Sequence, residues 1–174
     1  IHIRESVIVV SQAANAIPNL ISNGGFDSTL TGWSDAYSGL GSATWTAGSP
    51  VTAPVPMSGL ALLTSNEPRG VYQLSQCVSI IGGKTYEAGV KVLIPGGQAN
   101  GVINFAIFEY WVPNCSVSAG YKGWRPVSAN GPTDVWLEKS IVWNSDFNAK
   151  SVLVVIGAGG SDAPPFRAYF DDVF

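Results

Sequence analysis

Charge is what this sequence has least of. Lys, Arg, Asp and Glu make up 12% of its 174 residues, about half the share found in ordinary soluble domains. The nine basic residues are scattered along the chain, so no cluster is present that could displace counterions from a nucleic acid. Histidine is nearly absent as well. The single one, His2, stands at the very N-terminal end, which leaves the rest of the chain without the base of a Ser–His–Asp or Cys–His site and zinc without its usual ligands. Carboxylate-pair glycoside hydrolysis needs only two acids at a set separation. Of the acids, Glu87 and Glu109 alone stand in an aromatic strand context, and both read equally well as solvated strand positions. No enzymatic activity is expected. Long apolar runs are missing too: the stretch VLVVI, Val152 to Ile156, is far short of the roughly 20 residues a membrane helix requires, so no membrane insertion is expected.

Cysteine is scarce but even in number. Cys77 and Cys115 lie in a chain rich in Ser, Thr and Gly and poor in charge, which favours one disulfide and a secreted, extracellular setting. Closing the 38-residue span between them would stabilise by about 4 kcal/mol in the chain-entropy model. Two buried free thiols are the alternative, because unpaired cysteine is itself commonly buried.

What the sequence does have is strand-like segments between Gly, Pro and Asn punctuation: GSATWTAG, GLALLTS, GVYQLSQCVSI, KTYEAGVKVLI, GVINFAIFEYW, DVWLEKSIVW, SVLVVIGAG and FRAYFDDVF. Alternation is clearest after Lys84, where Tyr86, Ala88, Val90, Val92 and Ile94 share one face and Thr85, Glu87 and Lys91 the other. No segment sustains a helical period. The expectation is an all-β, two-sheet antiparallel sandwich of the jelly-roll kind spanning residues 17–174, preceded by an N-terminal extension over residues 1–16. Two stretches break the rhythm and are expected to be long surface connections. The first is Thr46 to Gly59, which carries three prolines. The second is Val112 to Asp134, which strands Tyr121 and Trp124 among polar and glycine neighbours; these rings either face a ligand or fold back over a sheet edge.

The opening NLISNGGFDSTLTGW, Asn19 to Trp33, and the closing YFDDVF, Tyr169 to Phe174, resemble the two ends of the jelly-roll carbohydrate-binding modules grouped around families four, nine and twenty-two. The resemblance covers Asn19 to Phe174. It implies a structural calcium where the first and last strands meet. Asp171 would supply the carboxylate, the carbonyl of Gly25 and a carbonyl near Gly41 would join it, and Asp27 would be a further ligand. Ca²⁺ takes six to eight oxygens, and glycine turns offer carbonyls without steric cost. Adjacent carboxylates on opposite faces of a strand would also leave one of them buried and in need of a partner. The plain alternative is that Asp171 and Asp172 merely end an edge strand.

The resemblance further implies a poly- or oligosaccharide partner, held by rings that stack on pyranose faces and by amides or carboxylates that bond the hydroxyls. Candidate residues are Tyr37, Trp45, Tyr72, Gln73, Asn104, Glu109, Tyr110, Tyr121 and Trp124. Trp33, Tyr86, Trp136, Trp143 and Phe170 are assigned to packing. One departure stands out: the VLVVIGAGG strand has no Gln or Asn where glucan-binding members place a groove amide.

The extension is not explained by that family. IHIRESVIVV is β-branched and strand-like, with Ile1, Ile3, Val7 and Val9 on one face. It carries Glu5 and no sustained apolar run, and is read as mature chain rather than a signal peptide. Such a strand pairs either with the edge of its own sandwich or with a neighbouring copy. In the second case the chain is the subunit of an extracellular filament built by donor-strand exchange.

Overall fold

A computed structural model describes residues 18–36, 40–48, 59–116 and 131–174 in full, together with the course of the strand over 121–129. The extension with Ile1, Ile3, Val7 and Val9, and the loop residue Tyr37, lie outside the described residues.

The strands are β1 (Ser34–Asp35), β2 (Gly41–Ala47), β3 (Gly59–Ser65), β4 (Val71–Ser79), β5 (Thr85–Leu93), β6 (Val102–Tyr110), β7 (Tyr121–Ala129), β8 (Trp136–Asn144), β9 (Ser151–Gly159) and β10 (Phe166–Asp171). No helix occurs among the described residues. Two five-stranded antiparallel sheets form a sandwich. Sheet A has the order β1-β4-β9-β6-β7 and sheet B the order β2-β3-β10-β5-β8. The late strands β9 and β10 thus enter the middle of sheets begun much earlier in the chain.

Period-two patterning puts one face of each strand inside. Tyr72, Leu74 and Val78 of β4, Ile103, Phe105 and Ile107 of β6, and Val152, Val154 and Ile156 of β9 meet Leu63 of β3, Val90 and Val92 of β5, and Phe166 and Phe170 of β10 in one core. The alternation expected for β5 is present, with Ala88, Val90, Val92 and Ile94 buried.

The NLISNGGFDSTLTGW stretch makes no sheet of its own apart from β1. It is a knot of turns that plugs one flank of the sandwich. Asn23 and Phe26 take φ values of 52° and 48°, which folds Phe26 back into the core at 0% exposure with its ring 5.5 Å from that of Trp33. The inward-facing Gln76 of β4 fastens the stretch, accepting from the Ser22 amide at 2.8 Å and donating to the carbonyls of Ser22 and Gly32 at 2.9 and 3.1 Å.

One expectation fails outright. The Val112–Asp134 stretch is not an uninterrupted connection, because residues 121–129 form β7, the edge of sheet A, paired with β6 from Ile103↔Ala129 to Tyr110↔Tyr121. Its Gly123 and Pro126 weaken the strand pattern locally. An edge position tolerates both, since one side of the strand needs no ladder partner.

Candidate functional site

The site is built from the residues of sheet A that point away from the core. Since Tyr72, Leu74, Gln76 and Val78 of β4 face inward, Gln73, Ser75 and Cys77 face outward. The pairing register aligns them with β9 and β6 in cross-strand rows. One row reads Gln73, Gly157, Asn104, and the next reads Ser75, Val155, Ala106. A third row sets Cys77 beside Leu153 and Phe108, and the β7 register sets Trp124 opposite Phe108.

The amide row owes its shape to glycine. A Cβ on Gly157 would lie 2.8 Å from Cγ of Gln73, closer than packed carbons approach. The bare backbone of β9 is therefore what lets the Gln73 side chain lean across toward Asn104, two strand spacings or roughly 10 Å away. The amide missing from the VLVVIGAGG strand is thus replaced by a clearance between two amides on the flanking strands. Val155 and Ala106, at 2% and 4% exposure, make a sheltered apolar floor. Among the described residues β4, β9 and β6 put no charged side chain on this face.

A strap closes one end of the face. Cys77 and Cys115 are joined at an S–S distance of 2.02 Å. The hydroxyl of Ser151, at the start of β9, donates to the Val112 carbonyl and accepts from the Cys115 amide at 3.2 Å. The disulfide thus ties β4 to the loop after β6 across the intervening β9.

The structure separates the other candidates. Tyr72 is not a ligand-facing ring: it is in the core at 2% exposure, and its hydroxyl donates to the Asp35 carboxylate. Burial first, and that hydrogen bond second, push its phenol well above the ordinary range. Glu109 also faces inward, at 3% exposure, where it accepts from the Trp143 indole at 2.9 Å. Tyr110 points outward by alternation but is 3% exposed, beside the Ser151 that the strap covers. Trp45 shares the inner face of sheet B with Ala43 and Ala61. It closes the flank there, donating to the Phe26 carbonyl at 2.6 Å. Tyr121 and Trp124 belong to β7 rather than to a loop. Gln73 and Asn104, both half-buried, are the two candidates brought into one row on the outward face of sheet A. Phe108 and Leu153 were missed, although counting by twos from Asn104 reaches Phe108.

The calcium candidates divide as well. Asp171 is a wholly buried carboxylate on β10, directly across from Lys91 of β5. The turn Asn23–Phe26 lies against this end of β10, with the Val173 amide donating to the Gly24 carbonyl at 3.0 Å. A small basin beside it is lined by Asn19, Gly25, Lys91, Glu138 and Asp172. Asp27 is exposed, with Oδ1 turned back toward Gly25. Gly41 cannot join this group. It pairs with Ser65, whereas Phe170 pairs with Ala61, which pairs with Trp45. Gly41 is therefore four residues, or roughly 13 Å, farther along the sheet. Nor do the two carboxylates take opposite faces. Asp172 turns at φ 46°, and its Oδ2 meets Lys91 Nζ at 2.6 Å, on the side where Asp171 also lies. That hydrogen bond, followed by the charges of Asp172, Asp171 and Glu138, raises the lysine's affinity for its proton.

Neither a protein-family model nor any curated protein matches the sequence. Solved structures do. The enzymatically active domain of tailspike protein 4 from bacteriophage CBA120 superposes with a TM-score of 0.65 at 12% identity, over 90% of this chain and 21% of that one. The CBM22-1–GH10 portion of Clostridium thermocellum xylanase 10B, complexed with xylohexaose, gives 0.61 at 13% identity, over 88% and 27%. A CBM4 structure gives 0.55 at 20% identity over 88% and 97%. This chain spans about a fifth to a quarter of the first two. The shared property is the fold: this chain has the β-sandwich of the carbohydrate-binding modules.

Proposed function

We propose that the chain is a noncatalytic glycan-binding module that takes an oligo- or polysaccharide on the outer face of sheet A. The observation that supports this most is the row Gln73–Gly157–Asn104, two amide side chains on the strands that flank a bare glycine, above an uncharged, sheltered floor. Amides donate and accept at once, which suits vicinal hydroxyls, and the Phe108 ring supplies the aromatic side on which a pyranose stacks. Among the described residues this face holds no Asp or Glu, so a hydrolytic carboxylate pair has no members there. The strap at Cys115 sets where the bound chain enters or leaves. Oligosaccharides of β-1,4-linked xylose and galactose are the first to screen, because similar structures are complexes with xylohexaose and β-1,4-galactotriose. Glycan-array screening followed by calorimetry tests the reading. Binding should weaken about tenfold in either Gln73→Ala or Asn104→Ala, the loss of one hydrogen bond together with an unsatisfied partner. No binding at millimolar sugar, or binding by both variants as tight as that of the parent, would contradict it.

We also propose calcium as the ion of the β10 clasp. Among the described residues no three acidic, His or Cys side chains converge. A cation there would draw on the Asp171 carboxylate and on turn carbonyls, Gly25 first. That donor set is hard oxygen, as Ca²⁺ prefers, and it would tie the first turn to the last strand.

A further inference from the structure

Sheet B is incomplete on the β10 side of β5. β10 pairs only with Lys91–Leu93, and the tail then continues the ladder as far as Phe174, which exchanges two backbone hydrogen bonds of 3.0 Å with Gly89. Main-chain groups along a strand point the same way every second residue. Glu87 and Thr85 therefore present their N–H and C=O to the same side as Gly89, and no strand among the described residues meets them there. The opposite bank is Pro18–Ile21. Deeper in, the tail already lies between β5 and the Asn23–Phe26 turn, Phe174 bonding Gly89 and Val173 bonding Gly24. The gap opens into a cavity of about 650 Å³ between the sheets, whose apolar walls include Val78, Ala88, Trp143, Val152 and Val154. Leu20 and Val142, which line it, are 51 and 62% exposed, and Ile81 and Phe147, in the turns past the Thr85 end of β5, are 68 and 85% exposed.

We propose that this gap is an acceptor slot for a β-strand, and that its occupant is the Ile1–Val10 segment of a second copy of the chain. Unpaired main-chain donors and acceptors beside an apolar hole are satisfied together by one thing, an added strand that inserts alternate side chains. Of the segments outside the described residues, 37–39 and 117–120 are too short, and 49–58 contains Pro50, Pro54 and Pro56. Only the N-terminal segment offers a run free of Pro and Gly, and its VIVV, Val7 to Val10, presents apolar side chains in either register. A second copy is favoured over the chain's own segment because Ile81 and Phe147 belong to the turns beyond the slot, where the Phe147 ring lies over Gly83. A strand folded back in the same molecule fills the slot and leaves both bare, whereas the body of a neighbour covers them. The contact is head to tail and does not close, so it builds linear assemblies. It stands independently of the glycan reading, which uses the outward face of sheet A.

The test compares the full chain with the double variant Ile8→Asp, Val9→Asp by light scattering over a range of concentrations and by electron microscopy. Adjacent residues of a strand point to opposite faces, so one aspartate must enter the slot in either register, and both positions lie outside the described residues. The expected result is concentration-dependent oligomers or fibres of the parent, monomers from the variant that still unfold cooperatively but at a lower temperature than the assembled parent, and dissociation of parent oligomers by excess synthetic peptide IHIRESVIVV. A parent that stays monomeric at millimolar concentration overturns the proposal, also where its Glu87 amide is protected from exchange, since that places the segment in its own slot. Oligomers that persist in the variant overturn it too.

Discussion

The outer faces of the two sheets differ in a way their shared fold does not require. That of sheet A carries Gln73, Ser75, Gly157, Val155, Asn104, Ala106 and Phe108, without a charge among its described residues. That of sheet B carries Glu87, Lys91, Glu138, Arg167 and Asp171. A solvated sheet face needs charge to stay wet and to resist association. The face of sheet A has given that up, and it shelters its centre instead. We take this as the mark of a binding surface, with the charged face left to hold the chain's two ends together.

The contrast can be broken from either side. The largest expected effect concerns the strap of sheet A. Replacing Cys77 and Cys115 together by Ala should cost about 4 kcal/mol of stability in the chain-entropy model, measured by urea unfolding. It should also weaken glycan binding, since the strap bounds that face. On sheet B the corresponding change is Asp171→Asn. With calcium at a hundredfold excess over its Kd, linkage stabilises the parent by about 3 kcal/mol, so chelation should lower the parent's melting temperature and leave that of the variant unchanged. Equal insensitivity to chelator in both proteins would remove calcium from the clasp. Sugar affinity should be unaltered in Asp171→Asn, and a loss there would dissolve the division between the faces.

Smaller effects sharpen the same picture. Lys91→Met removes an ion pair whose side chains are 38% and 36% exposed, so its cost should stay below about 1 kcal/mol. The lysine's folded pKa is raised above its ordinary 10.5. Its contribution is therefore complete below that value and fades as pH rises through the folded pKa. Denaturation curves of parent and variant should converge in strongly alkaline buffer and differ at neutral pH. Smallest of all is Trp136→Phe. The Trp136 indole N–H is buried without a partner, so its removal should leave stability unchanged or slightly raised. Trp143→Phe, by contrast, strips the buried Glu109 carboxyl of its donor and should cost about 1–3 kcal/mol. Thermal melts of the two variants side by side would show the difference.

Much of the fold was legible because strand punctuation is local. GLALLTS, KTYEAGVKVLI and SVLVVIGAG delimit β3, β5 and β9 nearly to the residue, and two cysteines in strand-like surroundings anticipated the disulfide. β7 was not legible. Its Gly and Pro speak against a strand, and only pairing with β6 makes one. The site was legible in part, since alternation says which residues share a face but not which face is inside. Gln73 and Asn104 fell outside the core and Tyr72 within it, because Phe105, Leu74 and Ile156 were to be buried together. Glu109 breaks the expectation for a charged residue because a tryptophan on the other sheet receives it. Gly41 failed for another reason: it was placed by the resemblance alone, and the pairing register sets it four residues along the sheet from the Phe170 level.

The division between the two faces is tested most directly by NMR titration of the intact protein with xylohexaose or β-1,4-galactotriose, following backbone and side-chain amides. The account predicts shifts at the Gln73 and Asn104 side-chain amides and at the Gly157 backbone, with Lys91, Glu138 and Arg167 undisturbed. Shifts confined to sheet B or to the slot beside β5, or none with either sugar at millimolar concentration, would contradict it.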